Sequence, residues 1–136
     1  MRFFLDNNVS PCHAEALRIY AGDHGAEFEH LSEMFDRSTP DPEWIPALAA
    51  DGHWIIISGD TRISTNPANR RAWIESKLTA FFFADPWQRS RAIKQAEEML
   101  HWWPHIFDEA KRSPTGAGFL MPKNGNQLKQ IYPERR

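Results

Sequence analysis

The sequence predicts an α/β fold, a three-layer α/β/α sandwich with a mostly parallel central sheet. Short apolar or β-branched runs alternate along the chain with segments that begin as helices do. This β-α-β-α-β-α-β-α order favours parallel strands joined by crossover helices. In addition, the run WIII at residues 54–57 is apolar without alternation, as in a strand that is covered on both faces.

Four predicted helices begin with proline directly after a residue that can cap a helix: Ser10-Pro11, Asp41-Pro42, Asn66-Pro67 and Asp85-Pro86. Ser, Asp and Asn side chains accept hydrogen bonds from the free N–H groups of a first turn, where proline loses no bond. We therefore expect helices at residues 11–21, 41–50, 66–77 and 85–111. Pro104 should end or kink the last of them near Trp103.

The apolar and β-branched runs predict the strands between these helices, at residues 2–5, 27–31, 54–58 and 79–83. A last strand is expected within GAGFLMP at residues 116–122. The polar segments at residues 32–40 and 59–65 are expected to be loops.

Length and composition limit the classes of protein that this chain can belong to. With 136 residues and 41% apolar content, we expect one domain over residues 1–136, with a C-terminal extension from about residue 113. The net charge of −2 argues against binding nucleic acid by bulk charge, so any contact must come from a local basic patch. The single Cys12 fits a reducing compartment, and no apolar run reaches membrane-spanning length. We therefore expect a cytoplasmic protein without membrane contact.

Acidic side chains directly follow two of the predicted strands. Asp6 follows the first strand, and Asp60 follows the strand at residues 54–58. Because ligands of parallel sheets bind outside the carboxyl ends of the strands, both acids should lie at the same rim. Glu43, in the first turn of the helix that begins at Asp41-Pro42, joins them if this helix start flanks the rim. Each acid alone also suits a turn or a helix start, so the interpretation depends on their joint placement.

Three converging carboxylates predict a site for a divalent metal ion. Clustered carboxylates repel one another unless a cation neutralises them. Oxygen ligands of this kind suit Mg²⁺ or Mn²⁺, which also bind water and substrate phosphate oxygens. We therefore expect Asp6, Glu43 and Asp60 to be the metal ligands and catalytic residues of metal-assisted phosphodiester hydrolysis.

Three stretches of the sequence resemble the PIN-like domains, most closely a PIN-like group related to the VapC toxins: FLDNNVSP, DPEWIPALAADGHWIIISGDTRIS and NPANRRAWIESKLTAFFFA. The resemblance extends from about residue 1 to residue 103. It implies a compact α/β/α domain whose clustered acids bind Mg²⁺ or Mn²⁺ and cleave RNA. Many such proteins are toxins that a cognate antitoxin neutralises.

The resemblance also implies roles for individual residues. Asp6 matches the first-strand acid of the family, and Asp60 is similar to the acid just past the central strand. Glu43 resembles the acid of the helix before that strand, with Asp41 as a substitute. Ser58 is similar to the small hydroxyl residue shortly before the last acid.

Supporting residues are expected around these acids. Asn7, Asn8 and Ser58 would orient waters or the metal ligands. Arg62, Arg70 and Arg71 follow Asp60 closely enough to bind a phosphate backbone, although a solvated cationic helix face is an equally good interpretation.

The leading hypothesis is a Mg²⁺- or Mn²⁺-dependent endoribonuclease that acts as the toxin of a toxin–antitoxin pair. Its partners would be RNA, an antitoxin protein and a second copy, docked through the aromatic stretch at residues 99–107. PIN nucleases typically carry a further acid, and the remaining candidates lie in no recognisable motif: Glu29, Glu33 and Asp36. A catalytically inactive PIN-like module that binds RNA or a protein is therefore the alternative. A phosphatase-like α/β enzyme acting on a small phosphate ester is a third.

Overall fold

The computed structural model describes residues 1–22 and 25–134, whose strands form one mixed sheet. The strands are β1 (Arg2–Leu5), β2 (Glu27–His30), β3 (Trp54–Ser58), β4 (Thr79–Phe83), β5 (Gly118–Met121) and β6 (Lys129–Tyr132). Their order across the sheet is β2-β1-β3-β4-β5-β6. All neighbouring pairs are parallel except β5 and β6, which are antiparallel. The predicted α/β architecture with a mostly parallel sheet is confirmed.

Three of the four predicted proline positions, at residues 11, 42 and 67, lie at the start of an α-helix. The fourth, Asp85-Pro86, forms only a short 3₁₀ helix, so the long helix expected over residues 85–111 begins instead at Ala92. The helices are α1 (Pro11–Ala21), α2 (Leu31–Met34), α3 (Asp41–Asp51), α4 (Arg62–Thr65), α5 (Pro67–Ser76) and α6 (Ala92–Arg112), with a 3₁₀ helix at Asp85–Trp87. Ser10 and Asn66 cap α1 and α5 through their side-chain oxygens, as the sequence predicts. Asp41 and Asp85 do not act as the predicted caps, because each lies inside the first turn of its helix. None of the helices in the described residues is long and apolar enough to cross a membrane.

Helices cover both faces of the sheet and so create two cores. On one face, residues of β1, β3, β4 and β5 form an apolar cluster with α1 and α6: Phe3, Leu5, Ile57, Phe81, Phe119, Leu17, Met99, Trp102 and Ile106. The opposite face packs against α3 and α5: Phe4, Ile56, Ala80, Phe82, Trp44, Ile45, Leu48 and Trp73. Successive residues of a strand point to opposite faces, so an unbroken apolar run is what a strand between two helix layers needs.

The order of the strands reverses beside β1. The chain passes from β1 to β2 on one side and then returns to β3 on the other. Leu5 pairs with Ile57 at the carboxyl ends of the two strands. A reversal of this kind leaves a crevice at the carboxyl ends of the two central strands, which is where open α/β sheets bind ligands.

Two segments expected to be loops contain short helices. The first, α2, begins at Leu31 and extends into residues 32–40. It is capped by His30, whose side chain accepts a hydrogen bond from the Ser32 backbone N–H, while Glu33 accepts one from the His30 backbone N–H. Within residues 59–65, α4 follows Thr61 without a side-chain cap. The sequence prediction missed both: His30 is not a usual cap residue, and Thr61, although of a usual type, makes no side-chain cap hydrogen bond.

Pro104 does not end the last helix, which continues to Arg112. Proline inside a helix loses a hydrogen bond, but Pro104 is exposed while Met99, Trp102 and Ile106 are buried on the opposite side of α6. The apolar stripe therefore holds the helix together across the proline. The same burial places much of the aromatic stretch at residues 99–107 inside the core of its own chain.

The C-terminal segment joins the sheet rather than standing apart from it. The expected last strand is β5, and β6 adds an edge strand within the basic tail. Arg135 and Arg136, which end that tail, lie outside the described residues.

Candidate active site

Asp6 lies at the end of β1 on the floor of the crevice, with 2% of its surface exposed. The Ser58 hydroxyl donates a hydrogen bond to Asp6 Oδ2 at 2.5 Å. The backbone N–H groups of Asn8 and Gly59 donate to Asp6 Oδ1 at 3.1 and 3.4 Å. The carboxylate is therefore held in one orientation by groups from both central strands.

The environment of Asp6 disfavours its charge. The pKa of Asp6 is raised from 3.8 to about 7, chiefly by burial. The neighbouring carboxylates of Asp60 and Asp41 also raise this pKa, whereas the hydrogen bonds from Ser58 and Asn8 lower it. A cation placed beside this carboxylate would reverse the shift.

Asp60 is the second buried carboxylate, with 6% of its surface exposed. It lies two residues beyond Ser58 at the end of β3, and its backbone N–H donates to the Ser58 hydroxyl oxygen at 3.5 Å. The guanidinium of Arg62 donates through Nε to Asp60 Oδ2 at 2.6 Å, and the Arg62 backbone N–H donates to Oδ1 at 2.9 Å. Asp60 is thus ion-paired with the first residue of α4, two positions along the chain.

Gly59 brings the two strand ends together. A Cβ atom at this position would lie 2.6 Å from the backbone oxygen of Asn8 and 2.9 Å from Trp87 Cζ3. Only glycine permits this approach, because backbone contacts of that length leave no room for a side chain. The loop after β1 and the loop after β3 therefore pack directly on each other.

Asp41 supplies a third carboxylate from the first turn of α3. Trp44 Nε1 donates to Asp41 Oδ1 at 2.9 Å, and Asn69 Nδ2, from α5, donates to Oδ2 at 3.0 Å. Partial burial raises the pKa of Asp41, and the negative charge of Asp60 raises it further. The electrostatic coupling of Asp6, Asp41 and Asp60 indicates that these carboxylates share one environment.

A cleft of about 200 Å³ opens above Asp6 and Asp41, whereas Asp60 adjoins it behind Arg62 and is not part of its lining. Its lining is almost entirely polar and comes from both sides of the strand reversal: Asp6, Asn7, Asn8, Leu31, Arg37, Thr39, Asp41, Arg62 and Asn69. The cleft presents oxygen atoms at its floor and two arginines at its wall. Such a lining can hold a hydrated cation together with an anionic ligand.

The other predicted site residues lie in different places. Glu43 is exposed and does not line the cleft. Arg70 donates to the Ser64 carbonyl oxygen at 3.0 Å and stacks on Tyr132, 5.4 Å from the ring centroid. Arg71 lines a separate groove between α3 and α5. Of the three predicted arginines, Arg62 is the one that the structure brings to the acids.

The spare acids considered for a fourth ligand are engaged elsewhere. Glu29 and Glu33 pair with Arg18 at 3.5 and 2.5 Å. Asp36 accepts hydrogen bonds from the backbone and side chain of Ser38 at 2.9 and 2.7 Å.

Three polar residues near the acids were missed as site residues. Arg37 exchanges hydrogen bonds with Asn7 across the cleft, and Asn69 holds Asp41. Asp85, after β4, accepts a hydrogen bond from Thr61 at 3.1 Å, beside Asp60. Asp85 carries the same signal as Asp6 and Asp60, an acid directly after an apolar strand, whereas no sequence signal marks Arg37 or Asn69.

The donor set at the cleft fits a hard divalent cation in its chemistry. Its oxygens are carboxylate and carboxamide, and the buried Asp6 lacks a cationic partner among the described residues. No three His, Cys, Asp or Glu side chains within residues 1–22 and 25–134 are grouped closely enough to form a ready-made metal site. Mg²⁺ is compatible with this geometry, because it commonly takes one or two carboxylates and completes its shell with water and phosphate oxygens.

The comparisons with known proteins agree with this architecture. A family model described as a PIN-like domain matches residues 1–85, more than half of the chain. No significant match was found among curated proteins or among solved structures.

Proposed function

Since the chain belongs to the PIN-like domain family, we propose that it is a Mg²⁺- or Mn²⁺-dependent endoribonuclease that hydrolyses RNA phosphodiester bonds. The observation that carries the proposal is the arrangement of three carboxylates from separate segments: Asp6 and Asp41 line one polar cleft. Asp60 adjoins that cleft, because it is linked to Asp6 through Ser58 and is paired with the cleft residue Arg62. Asp6 and Asp60 are the ligands expected from the sequence. Asp41 replaces Glu43 as the better placed third acid, because Asp41 lines the cleft and Glu43 does not.

The side chains around the cleft divide the work. Ser58 and the backbone N–H of Asn8 hold the Asp6 carboxylate, and Trp44 and Asn69 hold Asp41. A bound divalent ion polarises a phosphate group and lowers the pKa of an attacking water. Arg37 and Arg62 are exposed at the wall of the cleft. There they can bind the phosphate oxygens of the RNA backbone, because a planar guanidinium donates paired hydrogen bonds to phosphate.

Cleavage of a labelled single-stranded RNA tests the proposal. Wild-type protein should cleave with Mn²⁺ or Mg²⁺ and not with excess EDTA. Asp6→Asn and Asp60→Asn should each lower the rate by more than about 100-fold, beyond the usual cost of losing a supporting residue. Asp6→Asn at full activity would contradict the proposal.

A matched pair of variants decides which acid of α3 takes part. Asp41→Asn should lose activity, whereas Glu43→Gln, two residues away and exposed, should remain within about threefold of wild type since surface changes rarely matter. The reverse result would return the ligand role to Glu43.

The second candidate function is a catalytically inactive module that binds RNA or a protein partner. It is favoured by the absence, among the described residues, of a preassembled group of three metal-ligating side chains. Calorimetric titration with Mn²⁺ separates the two candidates. Heat that disappears in Asp6→Asn favours the nuclease, whereas RNA binding that is indifferent to Mn²⁺ and to this variant favours the module. Turnover of a small phosphate ester without RNA cleavage would instead favour the phosphatase-like alternative.

The proposal extends to a toxin held in check by an antitoxin in the cytoplasm. Induced expression of the wild-type chain alone should arrest bacterial growth, and Asp6→Asn should not. A homodimer stays a prediction to be tested by sedimentation. Its interface must involve other surfaces than the buried side of α6, since Met99, Trp102 and Ile106 already pack inside their own chain.

A further inference from the structure

We infer that Arg62 neutralises the Asp60 carboxylate in the metal-free protein. When a divalent ion binds, Arg62 leaves this carboxylate and binds an RNA phosphate instead. The inference deepens the proposed function and rests on it. It assigns one side chain two alternative partners within the same cleft.

The contacts of Arg62 support the first of these states. Its Nε lies 2.6 Å from Asp60 Oδ2, and its Nη2 donates to Asn8 Oδ1 at 2.9 Å. Arg62 therefore bridges the loop after β3 and the loop after β1, above the buried Asp6. Within the part of the chain that the structure describes, no other Lys or Arg forms an ion pair with Asp6, Asp41 or Asp60.

The charge of the site makes such a cation necessary. Asp60 and Asp6 are both buried, and their carboxylates repel each other and Asp41. A guanidinium held against Asp60 offsets part of this repulsion. A divalent ion would offset more of it from the same side, so the two cations compete for Asp60.

The geometry also allows Arg62 to leave. Its side chain is 66% exposed, whereas that of Asp60 is 9% exposed. Movement of the guanidinium into solvent therefore breaks the contacts to Asp60 and Asn8 but removes no core packing. The backbone N–H of Arg62 donates separately to Asp60 Oδ1 at 2.9 Å, so the carboxylate keeps its orientation while Oδ2 is released.

Because Arg62 lines the cleft, its guanidinium would still be within reach of a ligand there after release from Asp60. Guanidinium groups bind phosphate oxygens through paired hydrogen bonds. RNA phosphate that enters with the divalent ion thus provides the new partner. Removing Arg62 should consequently have opposite effects on the two ligands, tightening metal binding and weakening RNA binding.

Arg62→Gln is the test variant, and Arg71→Gln is the matched control. The control makes the same change of charge at an exposed arginine that lines a different groove. Mn²⁺ affinity is measured by calorimetry without RNA. Affinity for single-stranded RNA is measured by fluorescence anisotropy with Ca²⁺, which binds carboxylate oxygens, and the RNA is checked for integrity afterwards.

Arg62→Gln should bind Mn²⁺ about three- to fivefold more tightly than wild type, the size expected for loss of a largely exposed ion pair. It should bind RNA several-fold more weakly, and Arg62→Lys should lie between the two. Arg71→Gln should leave Mn²⁺ affinity unchanged. Thermal unfolding in EDTA verifies that each variant is folded.

Three outcomes would overturn the inference. Equal Mn²⁺ affinity in wild type and Arg62→Gln would show that the two cations do not compete. Weaker binding of both ligands would make Arg62 a structural residue only. Absence of Mn²⁺ binding in both proteins would remove the exchange altogether. The cleavage assay with Asp6→Asn tests the nuclease proposal separately, so the first two outcomes leave that proposal standing.

Discussion

Asp6 is the carboxylate of the site whose ionisation is most strongly disfavoured in the folded protein. Burial is the largest cause of its raised pKa of about 7, and the hydrogen bonds from Ser58 and Asn8 only partly compensate. A carboxylate at this position does not favour stability. An asparagine could still accept the hydrogen bonds from the Asn8 and Gly59 backbone N–H groups without burying a charge. The cost makes sense if a cation is the intended partner.

This cost predicts how stability depends on pH. In the unfolded chain Asp6 ionises near 3.8, whereas in the folded chain it ionises near 7. Between these values the folded state retains a proton that the unfolded state has lost, so the Asp6 contribution to the free energy of unfolding falls as pH rises, by up to about 4 kcal/mol. Above pH 7 the full cost persists until a divalent ion relieves it.

Urea unfolding in EDTA at about pH 5 and pH 8 measures this effect. Asp6→Asn should lose most of the fall in stability between the two pH values and should be more stable than wild type at the higher one. Glu43→Gln serves as the control, since that side chain is exposed. An unchanged fall in Asp6→Asn would assign the pH dependence to other groups.

At the scale of elements, the site depends on contact between the two loops that follow β1 and β3. Gly59 allows that contact, and the Ser58 hydroxyl links the ends of the two strands through Asp6. Trp87, from the 3₁₀ helix after β4, packs against Gly59 at this contact.

Gly59→Ala should therefore disturb the site by changing the packing of its loops, without changing any charged group. The added methyl group would clash with the Asn8 backbone and with Trp87, at a cost of about 1–3 kcal/mol for overpacking. Displacement of Asn8 should also weaken Mn²⁺ binding, which calorimetry measures alongside thermal unfolding. Gly125→Ala is the control, because its nearest neighbour is Pro122 Cγ at 3.4 Å. Wild-type stability and metal affinity in Gly59→Ala would contradict the proposed loop contact.

The elements also show what the sequence could and could not predict. Proline after a capping residue located α1, α3 and α5, because that signal is local. The ends of α2 and α4 could not be found in the same way, since a histidine caps one and no side chain caps the other. The course of α6 past Pro104 depends on burial of its apolar stripe, which is a tertiary effect.

At the scale of the whole molecule, the strand order determines which acids meet. The proximity of Asp6 and Asp60 could be predicted because parallel strands place their carboxyl ends at one rim. Asp41 and Glu43 could not be distinguished in this way. Two residues apart on a helix, they point about 200° apart, so only the rotation of α3 against the sheet decides which acid faces the cleft.

The placement of Arg37 and Asn69 is likewise a property of the whole fold. Arg37 lies in the segment between α2 and α3, and Asn69 lies in α5, and both reach the cleft only when the helix layer is assembled. The hydrogen bond from Arg37 to Asn7 connects this segment to the end of β1, and the one from Asn69 to Asp41 fixes α5 against the start of α3.

A crystal soaked in Mn²⁺ and measured at the manganese absorption edge tests the metal site most directly. We predict one anomalous peak in the cleft, bound by carboxylate oxygens of Asp6 and Asp60 directly or through water, with Asp41 beside it and Arg62 turned away from Asp60. If Mn²⁺ binds elsewhere or only at Glu43 and the cleft shows no peak, the proposed metal site at Asp6 and Asp60 is wrong.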